Sequence, residues 1–479
     1  MKSTYKISII IGVLMVLQTS CKKLVQVDAP VTSTNASNVY STDATAASVL
    51  TGIYTNLSLS IFSQGGLTSM SLFGGLSADE LRLYPGSPSV SIAAYFTNGL
   101  TNSNTMGTDF WNKIYPVIFY CNSALEGLNG SASLTPTVKQ ELTGEAKFVR
   151  AFCYFYLVNL YGDVPLALSS DSKVNAVLAR TAKAQVYQQI VSDLKDAQSL
   201  LSQQYVGSDA ISPKMERTRP TQWAATALLA RVYLYTGDWV DAEAQASTVI
   251  GNTSLFSLAK LNSVFLKNST EAIWQLQPVL TTPSNTQDGA MFILPTAGPN
   301  ITSNPVFLSN NLLDSFEAND LRRANWVDSV TVGATTYFYS YKYKNPGTSS
   351  GVTEYTMVFR LAEQYLIRAE ARVKQNNLTG AIEDLDQVRN RAGLPLVSVT
   401  NPGITQSPLL DAILHERQVE LFTEWGHRWL DLKRTGKADA VMSVATPQKG
   451  GVWNSNWQLY PISLTELQKD PNLVQNASY

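Results

Sequence analysis

Histidine is nearly absent from this 479-residue chain: there are two, His415 and His427, beside three cysteines, Cys21, Cys121 and Cys153. So small a supply leaves no His- or Cys-rich set for a transition metal, and no pattern in the chain calls for a cofactor. Charge is scarce as well. Lys, Arg, Asp and Glu make 15% of the residues, against a usual share of about 25%. The 36 basic and 37 acidic side chains leave a net charge of -1, without the clustered basic excess that nucleic-acid binding needs. GxxxxGK[ST], GxGxxG and CxxC are all missing, which removes the common nucleotide and redox signatures. What fills the chain is Ser, Thr, Asn and Gln, with 9 Trp, 22 Tyr and 16 Phe. A polar, weakly charged, aromatic-rich surface suits a secreted protein.

Lys2 and Lys6 precede the apolar run ISIIIGVLMVL at 7–17. It is too short to span a bilayer of about 30 Å as a helix and reads as the core of a signal peptide, 1–20. Thr19 and Ser20 before Cys21 resemble the lipobox at which bacterial lipoproteins are cleaved, with Gln18 where that pattern prefers Leu. Cys21 is then the lipidated, palmitate-bearing residue and 21–38 a polar tether; an ordinary signal peptide with a chance cysteine is the alternative. Cys121 and Cys153 lie in apolar helical patterns, FYCNSAL and RAFCYFYL, where a disulfide and two buried free thiols both remain open.

Helical periodicity is clearest at 141–161, where Leu142, Ala146, Val149, Cys153, Tyr156 and Leu160 recur every three or four residues before Gly162 and Pro165. Further helices are expected at 38–59, 113–128 and 180–201. An internal repeat follows. Leu229, Ala230, Tyr233, Ala242, Ala246 and Val249 take the offsets of a tetratricopeptide unit, with Gly237 and Asp238 as its turn; Tyr365, Ala369, Arg372, Ala381, Leu385 and Val388 repeat the frame around a turn at 376–380. Paired helices of this kind bury their faces only by stacking on neighbours. Two stretches break the pattern: 64–107, rich in Gly, Ser, Thr and Asn, and 252–354, crowded with proline but for a strand-like TTYFYSYKYK at 335–344.

Taken in order, EAKFVRAFCYFYLVNLYGDVP, RTAKAQVYQQIVSDLKDA, TQWAATALLARVYLYTGDW, FRLAEQYLIRAEA, AIEDLDQVRNRAGL, ILHERQVELFTEWGHRWLDLKR and LYPISLTELQKDPNLVQN resemble the SusD/RagB-like outer-membrane nutrient-binding lipoproteins of Bacteroidota, over about 145–476. The tail departs from the family at Pro461, Ile462 and Ser463 and in ending Asn476-Ala477-Ser478-Tyr479; Lys22 and Lys23 stand where surface-destined members carry acidic residues. The resemblance implies a mostly α-helical fold of about four tetratricopeptide-like helix pairs, at about 39–60, 111–250 and 355–440. A loop-rich lobe with short strands, at about 61–110 and 252–354, would carry the ligand, and 452–479 would form an extended tail, so that 39–479 is a single unit. It also implies a partner, a SusC-type TonB-dependent β-barrel transporter, and an anchored, outward-facing position on the outer membrane. No catalysis is implied: the protein would bind an oligosaccharide, or a peptide, and pass it to the barrel.

Glu416, Glu420 and Glu424, spaced by four, could be read as carboxylates for glycoside hydrolysis, but with Arg417, Arg428 and Asp431 they fit ion pairs between helices better. Binding has the stronger rationale. Sugars present apolar C–H faces beside hydroxyl pairs, so a site wants aromatic platforms next to planar amides, guanidinium or carboxylate. The first loop stretch offers Asp79, Arg82, Tyr84, Tyr95, Asn98 and Asn102; the second offers Trp326, Tyr337, Tyr339 and Tyr341, with Phe307 and Asn310 nearby. Two other readings stand beside this one: a tetratricopeptide scaffold that binds a protein on its helical surface, and a glycan-active hydrolase.

Overall fold

The computed structural model describes residues 39–61, 69–86, 89–103, 109–279, 284–347 and 351–479. Cys21, the expected lipidation position, and the tether lie outside them. The fold is mostly α-helical, with about 54% of the described residues in helices.

Capped amphipathic segments set the first elements. Helix α1 (Asp43–Asn56) starts at Thr42, whose hydroxyl accepts from Thr45 N, and buries Ala46, Ala47, Leu50 and Ile53. Two helices and a strand then appear inside the stretch that reads as loop: α2 (Met70–Ser77), β1 (Leu81–Leu83) and α3 (Val90–Phe96). Ser69 and Ser89 cap the helices, but every residue of α2 is buried. A helix enclosed all round shows no amphipathic period, so its glycines and serines look like loop.

The scaffold continues with α4 (Asp109–Gly130), α5 (Pro136–Tyr161), β2 (Val164–Pro165), α6 (Ser172–Asn175), β3 (Arg180–Thr181), α7 (Lys183–Leu200), α8 (Gln222–Thr236) and α9 (Trp239–Ile250). Gly237 ends α8 in the left-handed region at φ 79°, and Asp238 caps α9 by accepting from Asp241 N. A lobe of short pieces follows: β4 (Ala272–Leu276), α10 (Gln287–Phe292), β5 (Val306–Leu308), α11 (Asn310–Leu313), α12 (Leu321–Trp326), β6 (Val327–Val332), β7 (Thr335–Ser340) and β8 (Thr356–Arg360). The strands form four antiparallel two-stranded ribbons: β1 with β5, β2 with β3, β4 with β8 and β6 with β7. The chain then returns to α13 (Leu361–Lys374), α14 (Leu378–Arg391), α15 (Val397–Thr400), α16 (Gln406–Leu421), α17 (His427–Arg434), α18 (Ala438–Gln448) and α19 (Leu464–Lys469).

Each scaffold helix packs on the next: α4 on α5, α5 on α7, α7 on α8 and α8 on α9. The stacking then resumes directly from α9 to α13, α13 to α14 and α16 against both, so the lobe is an insertion between two tetratricopeptide-like pairs. Cys121 and Cys153 are both free and buried; burial pushes the Cys121 thiol up to about 12.

A buried ion lattice joins the lobe to the scaffold. Glu420 accepts from Arg322 at 2.9 Å and Arg360 at 2.5 Å, and also pairs with Arg391; Glu416 meets Arg322 at 2.6 Å; Glu424 takes Arg360 at 2.8 Å and Lys342 at 2.5 Å. Burial alone would raise the Glu420 carboxyl, but Arg391, Arg360 and Arg322 hold it well below the usual range. The three glutamates weighed as a hydrolytic set are thus committed to arginines and a lysine in the interior.

Candidate functional site

The β1–β5 ribbon positions the site. Arg82 stands opposite Phe307, between the pairs Leu81–Leu308 and Leu83–Val306. Side chains alternate along a strand, so Leu81, Val306 and Leu308 enter the core while Arg82 and Phe307 share the other face, both half-buried. Ser309 caps α11 by accepting from Leu312 N, which places the exposed Asn310 and Asn311 at the rim. The end of α18 closes the far side. Arg82 Nη1 donates to the Gln448 carbonyl at 2.9 Å, and Lys449 Nζ donates to the Leu76 and Ala78 carbonyls at 2.9 and 3.0 Å. The result is a cleft of about 600 Å³ walled by Asp79, Arg82, Phe307, Asn310, Asn311 and Gln448.

An aromatic flank continues from it. Phe307 meets Tyr337 edge-on at 5.1 Å between ring centroids, Tyr337 meets Tyr84 at 6.0 Å, and Tyr339 meets Tyr341 at 6.2 Å. Beneath lie Ile293 and Leu294, which with the buried Tyr339 form a small apolar core of their own. Tyr339 donates to Asp328 at 3.2 Å, and Lys344 Nζ sits 4.0 Å above the Tyr341 ring.

Charge in the cleft is shaped by burial. Asp79 receives both bonds of the Arg428 fork, at 2.8 and 2.9 Å, and so forms a neutralised wall. Its neighbour Glu80 turns inward, and burial, reinforced by Asp79, pushes its carboxyl up to about 8. Burial likewise lowers Lys449 to about 7, against the pull of Asp79. Lys449 is buried and spent on backbone carbonyls, so among the described lining residues the half-buried Arg82 is the cation that faces a ligand, beside the rim amides. Aromatic edges with a guanidinium and planar amides can hold a sugar ring by its C–H face and its hydroxyls. Among the described residues no group of three or more His, Cys, Asp or Glu could hold a metal ion.

The structure brings Asp79 and Arg82 into the cleft, and Tyr84, Tyr337, Tyr339 and Tyr341 along its flank. Four other expected residues lie elsewhere. Tyr95 is buried against Phe73 at 4.1 Å. Asn98 is buried, donating to the Ser77 carbonyl and accepting from Thr446, where it props the end of α18. Trp326 is buried with its indole N–H on the Leu261 carbonyl, among the lattice cations. The Asn102 carbonyl accepts from Leu464 N on the side of the tail. Asn311, Gln448 and Lys449 escape a reading of loop composition, since the last two close a helix in a scaffold segment.

The family model described as SusD family matches residues 302–479, and another, described as starch-binding associating with outer membrane, matches 87–234. The chain is thus similar to the SusD/RagB family in two separate segments. SusD-like protein P2 of Formosa agariphila is 26% identical over 524 residues, covering 98% of this chain and 99% of that protein. Among solved SusD structures, a superfamily member from Bacteroides vulgatus superposes with a TM-score of 0.78 at 22% identity, covering 91% of this chain and 99% of that one. A laminarin-binding SusD-like protein superposes with a TM-score of 0.72 at 25% identity, with the same shares covered.

Proposed function

We propose that this SusD/RagB-like chain binds an extracellular oligosaccharide in the cleft between the β1–β5 ribbon and α18, and delivers it to a SusC-type TonB-dependent barrel. The observation that carries the reading is the juxtaposition of Phe307 and Arg82 on one face of a two-stranded ribbon, beside the Asn310–Asn311 rim. A pyranose ring set against Phe307 and Tyr337 buries C–H surface, while Arg82 donates to its hydroxyls and the amides both donate to and accept from them. The family description as starch-binding and the laminarin-binding relative support carbohydrate over peptide. Engagement of Glu416, Glu420 and Glu424 in the ion lattice, and of Asp79 by Arg428, favours binding over hydrolysis.

Residues 39–479 act in this proposal as one unit, held by acyl chains on Cys21 to the outer face of the outer membrane. No described helix is long and apolar enough to cross a membrane. Calorimetric titration with starch and laminarin oligosaccharides and with short peptides tests the reading. Saturable heat confined to a sugar class supports it; heat only with peptides sinks it.

A further inference from the structure

A second cleft, of about 730 Å³, lies on the scaffold where the segments after α7 and α9 meet the start of α8, and it shares no residue with the first. Its floor is Trp223, half-buried in the first turn of α8. The indole N–H donates to the Gln203 carbonyl at 2.9 Å and Phe256 packs against the ring at 6.4 Å, so the ring is oriented before any ligand arrives. Arg217 is fixed beside it, 5.2 Å from the Tyr205 ring and 5.4 Å from that of Phe256, with Nη2 on the Leu255 carbonyl at 2.9 Å.

The rim differs in chemistry from the floor. Gln203 and Gln204 are exposed and Asn252 is half-buried, which supplies planar amides around the indole. Met215, 80% exposed, stands at the edge as an adaptable apolar cover. Among the described residues, the two charged ones that line the cleft, Lys214 and Arg217, are both cationic, and no carboxylate lines it. Arg217 is spent on backbone carbonyls, whereas Lys214 is exposed.

We propose that this cleft is a second carbohydrate site, selective for a sugar ring that bears a carboxylate or sulfate. The apolar face of the ring lies on Trp223, its hydroxyls meet the amides and its anionic group meets Lys214. The inference extends the carbohydrate reading of the chain, but the two sites use different residues and fail separately.

The test uses the full mature chain in detergent, carrying Arg82→Ala and Phe307→Ala to disable the first cleft. Oligogalacturonate, chondroitin sulfate fragments and neutral laminarin oligosaccharides are titrated calorimetrically with Trp223→Ala and Lys214→Gln added singly. At least one acidic oligosaccharide is expected to bind saturably. Trp223→Ala should weaken that binding at least tenfold, and Lys214→Gln about tenfold with a reduced salt dependence. Lys214 is exposed, so that variant separates binding from folding. Absence of saturable acidic-sugar binding in the disabled background, or affinity unchanged by both substitutions, overturns the proposal; Trp223-dependent binding of the neutral sugar alone overturns its anionic selectivity. Loss of laminarin binding on disabling the first cleft bears on that cleft only.

Discussion

Arg82 and Phe307 are three-residue-strand neighbours whose pairing creates the cleft, and each should matter singly. Removing either by Ala substitution is expected to weaken oligosaccharide binding about 10- to 100-fold, the range of roughly 1–3 kcal/mol typical of central binding residues. Equilibrium titration reads this, and an unchanged thermal midpoint would show that the loss is local. Glu420 makes a different prediction. It neutralises Arg322, Arg360 and Arg391 in the interior, so Glu420→Ala leaves uncompensated buried cations and should destabilise the fold by about 3–5 kcal/mol in urea unfolding. Glu80 carries a pH signature. Its folded value of about 8 exceeds the ordinary glutamate value of 4.5, so the native state holds the extra proton between them; that stability is present below 4.5 and is lost as pH rises through 8. Glu80→Gln should therefore gain on the parent between pH 5 and 8, by at most about 1.4 kcal/mol per pH unit, in unfolding curves taken at several pH values.

At the scale of elements, Gly74 of α2 and Gly426, just before α17, touch backbone to backbone. A Cβ on Gly74 would lie 2.5 Å from the Gly426 Cα and 3.0 Å from the Met70 side chain. Gly74→Ala is expected to cost about 1–3 kcal/mol by overpacking, a loss that denaturant titration would detect. These two glycines also show what a sequence conceals. The amphipathic helix α7 is legible because one face is wet and the apolar period of Val186, Ile190, Leu194 and Ala197 survives, whereas α5 and α8, enclosed over much of their length, are legible from long unbroken helical spacing and the tetratricopeptide frame. α2 is enclosed by protein on all sides, and β1 and β5 are three residues long, too short for alternation to register. The site was legible as far as composition reaches. Asp79, Arg82, Tyr84 and Tyr337 come from the two stretches expected to carry a ligand, although Arg82 and Tyr337 stand on strands β1 and β7. Composition cannot distinguish an exposed ring from Trp326, whose indole found an interior carbonyl, nor does it bring in Gln448, a partner 366 residues from Arg82.

The whole molecule is a helical stack interrupted between α9 and α13 by the lobe that helps to form the cleft. Rigidity across that junction comes from the Arg360–Glu271–Glu420–Glu424 lattice, which lets a loop-rich insertion present a preorganised surface. Anchoring belongs to this scale too: Cys21→Ala should release the protein from membranes into the soluble fraction, as read by fractionation and blotting. The central claim is capture of an oligosaccharide at the β1–β5 cleft, and one comparison tests it most directly. The mature protein and its Phe307→Ala variant are titrated calorimetrically against the same panel of neutral oligosaccharides. The account predicts saturable heat for one sugar class in the parent and at least tenfold weaker binding in the variant. Equal affinity in the two proteins would contradict it.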